Sequence, residues 1–162
     1  MKKSLVILIF ISCLNTSLHG SYVDSLKKAL IQYSHDTSKT KTYVSLGYHY
    51  DGLGKVDSSK HFYNLAIKLS EKIADKKFKG MAYYYVGLLY QNTGEYPKAF
   101  KNFNISLEAY RKTNRLKRIG DIYNSIGVTH YYNGQYDSAI ANYFRAIPYF
   151  EKKPKVLSVK QR

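Results

Sequence analysis

The sequence predicts an all-α fold, an α-solenoid of three helix-turn-helix repeats preceded by one further helix. The first observation behind this is glycine spacing. Gly47, Gly87 and Gly127 lie 40 residues apart, as do Gly54, Gly94 and Gly134, and Gly80 and Gly120 share the interval. Eight of the ten glycines therefore sit on one period. The second is that side-chain size follows the same period. Tyr43, Tyr83 and Tyr123 form one set, Leu46, Val86 and Ile126 another, and Tyr50, Tyr90 and His130 a third. Ser59, Ala99 and Ala139 follow, then Tyr63, Phe103 and Tyr143, then Ala66, Ser106 and Ala146. A fixed period of this length is the mark of stacked repeats. Such an array offers an extended surface rather than a reactive pocket.

Residues 1–20 stand outside the repeats. Lys2 and Lys3 precede the apolar run from Leu5 to Ile11, and small and polar residues follow. This is the layout of a signal peptide, with cleavage expected after Gly20. The run is shorter than the ~20 apolar residues that span a bilayer. Two alternatives stay open. The residues before Cys13 are similar in outline to a bacterial lipoprotein box, which would acylate Cys13, although Phe10 fits it poorly; an uncleaved anchor is the other. Cys13 is the only cysteine, so a mature chain starting near Ser21 has no disulfide and no thiolate chemistry. Its stability then rests on helix packing.

Residues 21–39 read as a helix and a linker. Val23, Leu26, Leu30 and Tyr33 share a helical face, and Asp24 lies in the first turn, where a negative charge suits the helix dipole. The polar stretch His35 to Lys39 is expected to link this helix to repeat one. The repeats are placed at 40–79, 80–119 and 120–153.

Within the middle repeat, Tyr83, Val86, Gly87 and Tyr90 recur at i, i+3, i+4 and i+7, one face of a helix. Asn92, Thr93 and Gly94 stop it. Pro97 suits the first turn of a second helix, along which Ala99, Phe103, Ser106, Leu107 and Tyr110 share a face. Gly87 and Ala99 are expected to let the two helices approach closely, with Tyr83, Tyr90 and Phe103 filling the space around them. An interior helix glycine costs about 1 kcal/mol against alanine, so its recurrence at Gly47 and Gly127 argues for close packing. In repeat three, Pro148 is expected to weaken the last helix, and residues 154–162 form a basic tail. Ile140, Phe144 and Ile147 make an apolar arc on that helix with nothing in the sequence to cover it. Either a second copy covers it, or the chain is a shortened form of a longer repeat protein.

The order Tyr83, Val86-Gly87, Tyr90, Ala99, Phe103, Ser106 resembles the tetratricopeptide repeat, and Tyr43 to Ala66 and Tyr123 to Ala146 repeat it. Two features depart from the family. Tyr stands where tryptophan is usual, and the period is 40 rather than the common 34, so the second helix or the link after it should be longer. The resemblance implies a right-handed superhelix whose first helices line a groove for a partner peptide or helix. It places Val44, Tyr48 and Asp51 there from repeat one, Tyr84, Leu88, Gln91 and Asn92 from repeat two, and Asn124, Val128, Tyr131 and Tyr132 from repeat three. Gly47, Gly87, Gly127, Ala99, Ala139, Tyr83 and Tyr123 are the structural positions. The basic clamp that some members use for a partner's C-terminal carboxylate is absent, because Val44 and Tyr48 stand at its positions.

Charge narrows the partners less than it first suggests. There are 26 Lys+Arg against 11 Asp+Glu, a net of +15; removing Lys2 and Lys3 leaves 24 against 11, or +13. Lys76, Lys77 and Lys79, and Arg111, Lys112, Arg115, Lys117 and Arg118, are expected in the links between repeats, where charges are solvated. An anionic cell-envelope surface ranks second as their purpose. Nucleic acid ranks last, because the export signal weighs against it. The five histidines have no metal-ligand spacing, and no nucleophile elbow, phosphate loop or carboxylate pair appears. No cofactor, metal or catalytic residue is expected. His130 and the repeat tyrosines, Tyr43, Tyr63, Tyr83, Tyr90, Tyr123 and Tyr143, are expected to be packing residues. The reading is a non-catalytic exported scaffold for a protein or peptide, with self-association through the last helix. The alternative is a shortened copy of the extracytoplasmic sensor region of a bacterial histidine kinase or transcriptional regulator.

Overall fold

The computed structural model describes residues 21–151, and the expected leader, Cys13 and the 154–162 tail lie outside them. Among the described residues the chain is helical, with no strand. Helix α1 covers 21–32. Then follow α2 (Asp36–Gly52), α3 (Val56–Lys72), α4 (Lys76–Asn92), α5 (Tyr96–Arg111), α6 (Leu116–Tyr132) and α7 (Tyr136–Phe150). The pairs α2/α3, α4/α5 and α6/α7 pack most extensively, and α3/α4 and α5/α6 join one pair to the next. The first helices α2, α4 and α6 also touch in sequence, whereas α3, α5 and α7 do not touch one another. The array therefore curves with α2, α4 and α6 on its inner side.

Each pair closes on a glycine. A Cβ on Gly87 would lie 2.6 Å from the Phe103 ring, and one on Gly127 would lie 2.6 Å from that of Tyr143. The Tyr63 ring sits on Gly47 in the same way. The aromatic ring of the second helix thus rests directly on first-helix backbone, and Ser59, Ala99 and Ala139 are buried beside it. Ser59 Oγ donates to Gly47 O at 2.9 Å. Gly80 and Gly120 repeat the device one face away, beneath Tyr110 and beneath Tyr149 and Phe150. In the first pair the corresponding positions are Thr40 and Ser70, both fully buried. There a medium and a small side chain replace the glycine and the aromatic.

The turns inside pairs need a left-handed residue, and Gly54, Gly94 and Gly134 supply it with φ of +68°, +75° and +73°. Links between pairs are short. First helices of 17 residues each and second helices of 17, 16 and 15 fill the 40-residue period together, so the extra length is not confined to the second helix or the link after it. Asp75 caps α4, accepting from Lys77 N at 2.8 Å and Phe78 N at 3.3 Å.

Several expectations change. The first helices begin at Asp36, Lys76 and Leu116, so each pair starts four residues before the expected boundary, and His35 to Lys39 is not a linker throughout. Lys76, Lys77 and Lys79 belong to the first turn of α4, and Lys117 and Arg118 to that of α6. Helix α7 continues through Pro148 to Phe150, because Tyr149 and Phe150 pack over Gly120 and hold the last turn. On α1, Val23 is buried and Leu26 and Leu30 are half-buried, whereas Tyr33 lies just past the end of the helix and is exposed. The repeat tyrosines divide. Tyr63 is fully buried, while Tyr43, Tyr83, Tyr90, Tyr123 and Tyr143 are half-buried.

The tyrosines that replace tryptophan use their hydroxyls. Tyr83 donates to Glu71 Oε1 at 3.0 Å, and Arg111 donates to Tyr123 Oη at 2.9 Å. Both bonds tie a second helix to the next first helix, with opposite charge signs.

Candidate functional site: the inner face of the first helices

The inner face brings together residues that the sequence holds about 40 apart. Asn92 Nδ2 donates to Asp51 Oδ2 at 3.3 Å, which ties α4 to α2. The Thr129 hydroxyl shares its one proton between Ser125 O of its own helix at 2.8 Å and Gln91 Oε1 at 3.1 Å, and the Tyr84 and Ser125 hydroxyls are 3.2 Å apart, which brings α6 against α4. Tyr48 meets the edge of Tyr85, with centroids 5.8 Å apart. Burial raises the Asp51 carboxyl, and the bond from Asn92 opposes it.

The expected groove residues split by depth. Val44 is only 5% exposed and packs with Tyr63, Ala66, Ala82, Val86 and Leu89, so it forms the floor rather than an open contact. Asp51, Tyr84, Leu88, Gln91 and Val128 are half-buried. Tyr48 (62%), Tyr131 (54%) and Tyr132 (62%) stand open to solvent, with Asn92 and Asn124 also exposed. Tyr131 meets Tyr132 and Tyr136 edge-on, at 5.8 and 5.6 Å between centroids. The inner face therefore carries tyrosine rings at both ends and amides between, with Asp51 the one ionisable charge among the eleven. Amides pair with a peptide backbone as donor and acceptor, and tyrosine combines apolar area with a polar tip.

Sequence reasoning missed Tyr85, Ser125 and Thr129, which join the helices. Ser125 and Thr129 are polar residues four apart on an otherwise apolar α6 face, beside Ile122 and Ile126, and that spacing was the available signal. His130 is half-buried rather than core, with Nδ1 2.6 Å from Gln135 Oε1 and its ring 4.4 Å from Phe100. A cavity of about 300 Å³ extends the inner face toward α1 between Tyr22, Ser45, Tyr48, His49, Gly52 and Leu53. The lysines lie elsewhere. Lys76, Lys79 and Lys112 ring a cavity of about 320 Å³ with Glu108, and Lys39, Lys68 and Lys72 ring its counterpart of about 340 Å³ with Asp36. Among the described residues no group of three or more His, Cys, Asp or Glu is placed to hold a metal, and no helix is long and apolar enough to cross a membrane.

Comparison with known proteins agrees with this architecture. Tetratricopeptide repeat profiles match residues 79–152 and residues 40–73. The chain belongs to the tetratricopeptide repeat family. The fold is also similar to the crystal structure of BtubC (BKLC) from P. vanneervenii, with a TM-score of 0.66 at 20% identity. That similarity covers 83% of this chain and 54% of the BtubC chain, so the protein spans about half the length of that relative. No curated protein matches the sequence. The tetratricopeptide array here is a scaffold of the kind that mediates protein–protein interaction.

Proposed function

We propose that this tetratricopeptide protein is a non-catalytic, exported scaffold that holds a protein or peptide partner along the inner face of α2, α4 and α6. One observation carries the reading: Tyr48, Asn92, Asn124, Tyr131 and Tyr132 stay open to solvent on helices locked side by side by the Asn92–Asp51 and Thr129–Gln91 bonds. An aromatic and amide surface of this kind suits an extended backbone or an amphipathic helix better than a charged tail. The export part rests on the leader pattern of residues 1–20. N-terminal sequencing of native protein tests it, with Ser21 the expected first residue. A lipid on Cys13 would replace that reading with a lipoprotein, and an intact Met1 in cytosol would overturn export. Affinity capture with the wild type and a Tyr131→Ser/Tyr132→Ser variant tests the groove. The partner should be lost with the variant while its melting temperature stays unchanged, and equal capture by both would overturn the assignment.

Self-association through α7 belongs to the same reading, because Ile140, Phe144 and Ile147 form an exposed apolar stripe. The stripe also favours a second reading, a sensor region carrying further repeats. Reading the DNA beyond Arg162 tests it, and a frame continuing with helix pairs and a membrane span is the supporting result.

A further inference from the structure

The apolar stripe on α7 continues an interface that the structure shows twice. Phe100 on α5 packs against His130 of α6 with the rings tilted, and Lys60 on α3 lies 5.6 Å from the Tyr90 ring of α4. Leu107 packs with Ile119, Ile122 and Ile126, and Ile67 packs against Ala82, Val86 and Leu89. In 40-residue register these positions become Ile140 and Ile147 on α7, and both are exposed. Phe144, between them, is 67% exposed. Among the described residues, the surface that receives the next helix at two seams is thus open at the third, and Phe144 widens it, since its register partners Asn64 and Asn104 are exposed and polar.

Two features of α7 say what covers it. The stripe is nearly symmetric end to end: Phe144 lies four residues after Ile140 and three before Ile147, close to their midpoint. An antiparallel copy of α7 would set Ile140 against Ile147 twice and place Phe144 beside the two-fold axis. The second feature is charge. Helix α7 carries Asp137 and Arg145 and no other charged side chain, so it is neutral, whereas α5 carries Lys98, Lys101 and Arg111 against Glu108. In a chain of net charge +15 a neutral helix with two charged side chains opposes a second copy less than the net-positive α5 would.

We infer that the protein forms an isologous dimer in which two α7 helices pair antiparallel through Ile140, Phe144 and Ile147. This rests on the self-association reading and adds its geometry. A two-fold contact closes on itself, whereas a head-to-tail contact would grow into a filament.

The test uses the full chain with Cys13→Ser, so that one introduced thiol is the only one. Sedimentation should show a monomer–dimer equilibrium that stops at two copies, and Phe144→Lys should shift it at least tenfold toward monomer with helix content unchanged. Ile147→Lys gives an independent check should Phe144→Lys misfold. For geometry, Phe144→Cys should form a disulfide-linked dimer under mild oxidation. A mixture of Ile140→Cys and Ile147→Cys chains should cross-link several-fold more than either alone. Ile31→Cys, on an exposed α1 position outside the contact, should dimerise like the wild type but stay uncross-linked. A wild type that stays monomeric at high concentration overturns the self-association reading and the dimer with it. Association with growth beyond two copies, or with cross-linking no better than Ile31→Cys, leaves self-association standing and overturns the two-fold pairing.

Discussion

Gly87 and Tyr63 show how much depends on single positions. At Gly87 the Phe103 ring occupies the space a side chain would need. Gly87→Leu should cost about 1–3 kcal/mol through overpacking, and the loss should spread to neighbouring pairs, because each stabilises the next. Thermal unfolding followed by circular dichroism reads this directly. Tyr63 is fully buried, and its hydroxyl makes no well-formed hydrogen bond: the polar side chain beside it, Ser59, gives its proton to Gly47 O. Leaving such a group unpaired costs about 1–3 kcal/mol, so Tyr63→Phe should raise the melting temperature. Tyr110 adds a pH dependence. Burial pushes its phenol up to about 12, with Arg118 and Arg115 pulling the other way. The neutral form is thus favoured in the fold. Its contribution is fully present below an unfolded pKa near 10 and is lost as pH rises from about 10 to about 12. The size is on the order of 2–3 kcal/mol. Urea midpoints should fall between pH 9 and 11.5, and Tyr110→Phe should flatten that fall.

Among α2 to α7, α4 is the helix with a side-chain cap on its backbone amides. Asp75→Ala removes two charge-assisted bonds to Lys77 N and Phe78 N and should cost about 1 kcal/mol. Denaturant unfolding of the variant measures this, and Asp75→Asn should recover most of it. How far the elements were legible follows from side-chain size. The turns could be placed because Gly54, Gly94 and Gly134 interrupt apolar periodicity. The helix starts could not, because Asp36 to Lys39 and Lys76 to Lys79 are polar or mixed and apolar periodicity begins only afterwards. Pro148 misled because proline removes one backbone bond, and the sequence does not reveal that Tyr149 and Phe150 hold the next turn over Gly120. In the site, the repeat register named the inner-face residues, but depth there is set by the neighbouring pair. That is why Val44 sinks beneath Tyr63 and α4, and why Ser125 and Thr129 emerge as links between first helices.

For the molecule as a whole, basic charge and binding face are separate. The lysine-lined cavities lie between the outer part of each pair and the start of its first helix, while the inner face holds tyrosines, amides and Asp51. Partner binding at the inner face should therefore depend weakly on salt. Raising ionic strength from 0.05 to 0.5 M, which shortens electrostatic reach from above about 10 Å to below it, should change affinity less than threefold by titration calorimetry. A steeper dependence would assign the partner to the lysines instead.

Because α3, α5 and α7 do not touch one another, the outer edge of the array has no tensile member. Mechanically the molecule is a leaf spring clamped along its inner edge. Bending it open or shut works against the apolar seams between α3 and α4 and between α5 and α6 and, at the inner edge, against the Asp51–Asn92, Gln91–Thr129 and Tyr84–Ser125 contacts. A ligand reaching from Tyr48 to Tyr131 lies along that inner edge, so cutting one of its bonds should alter the stiffness felt by the ligand while the apolar seams still hold the fold.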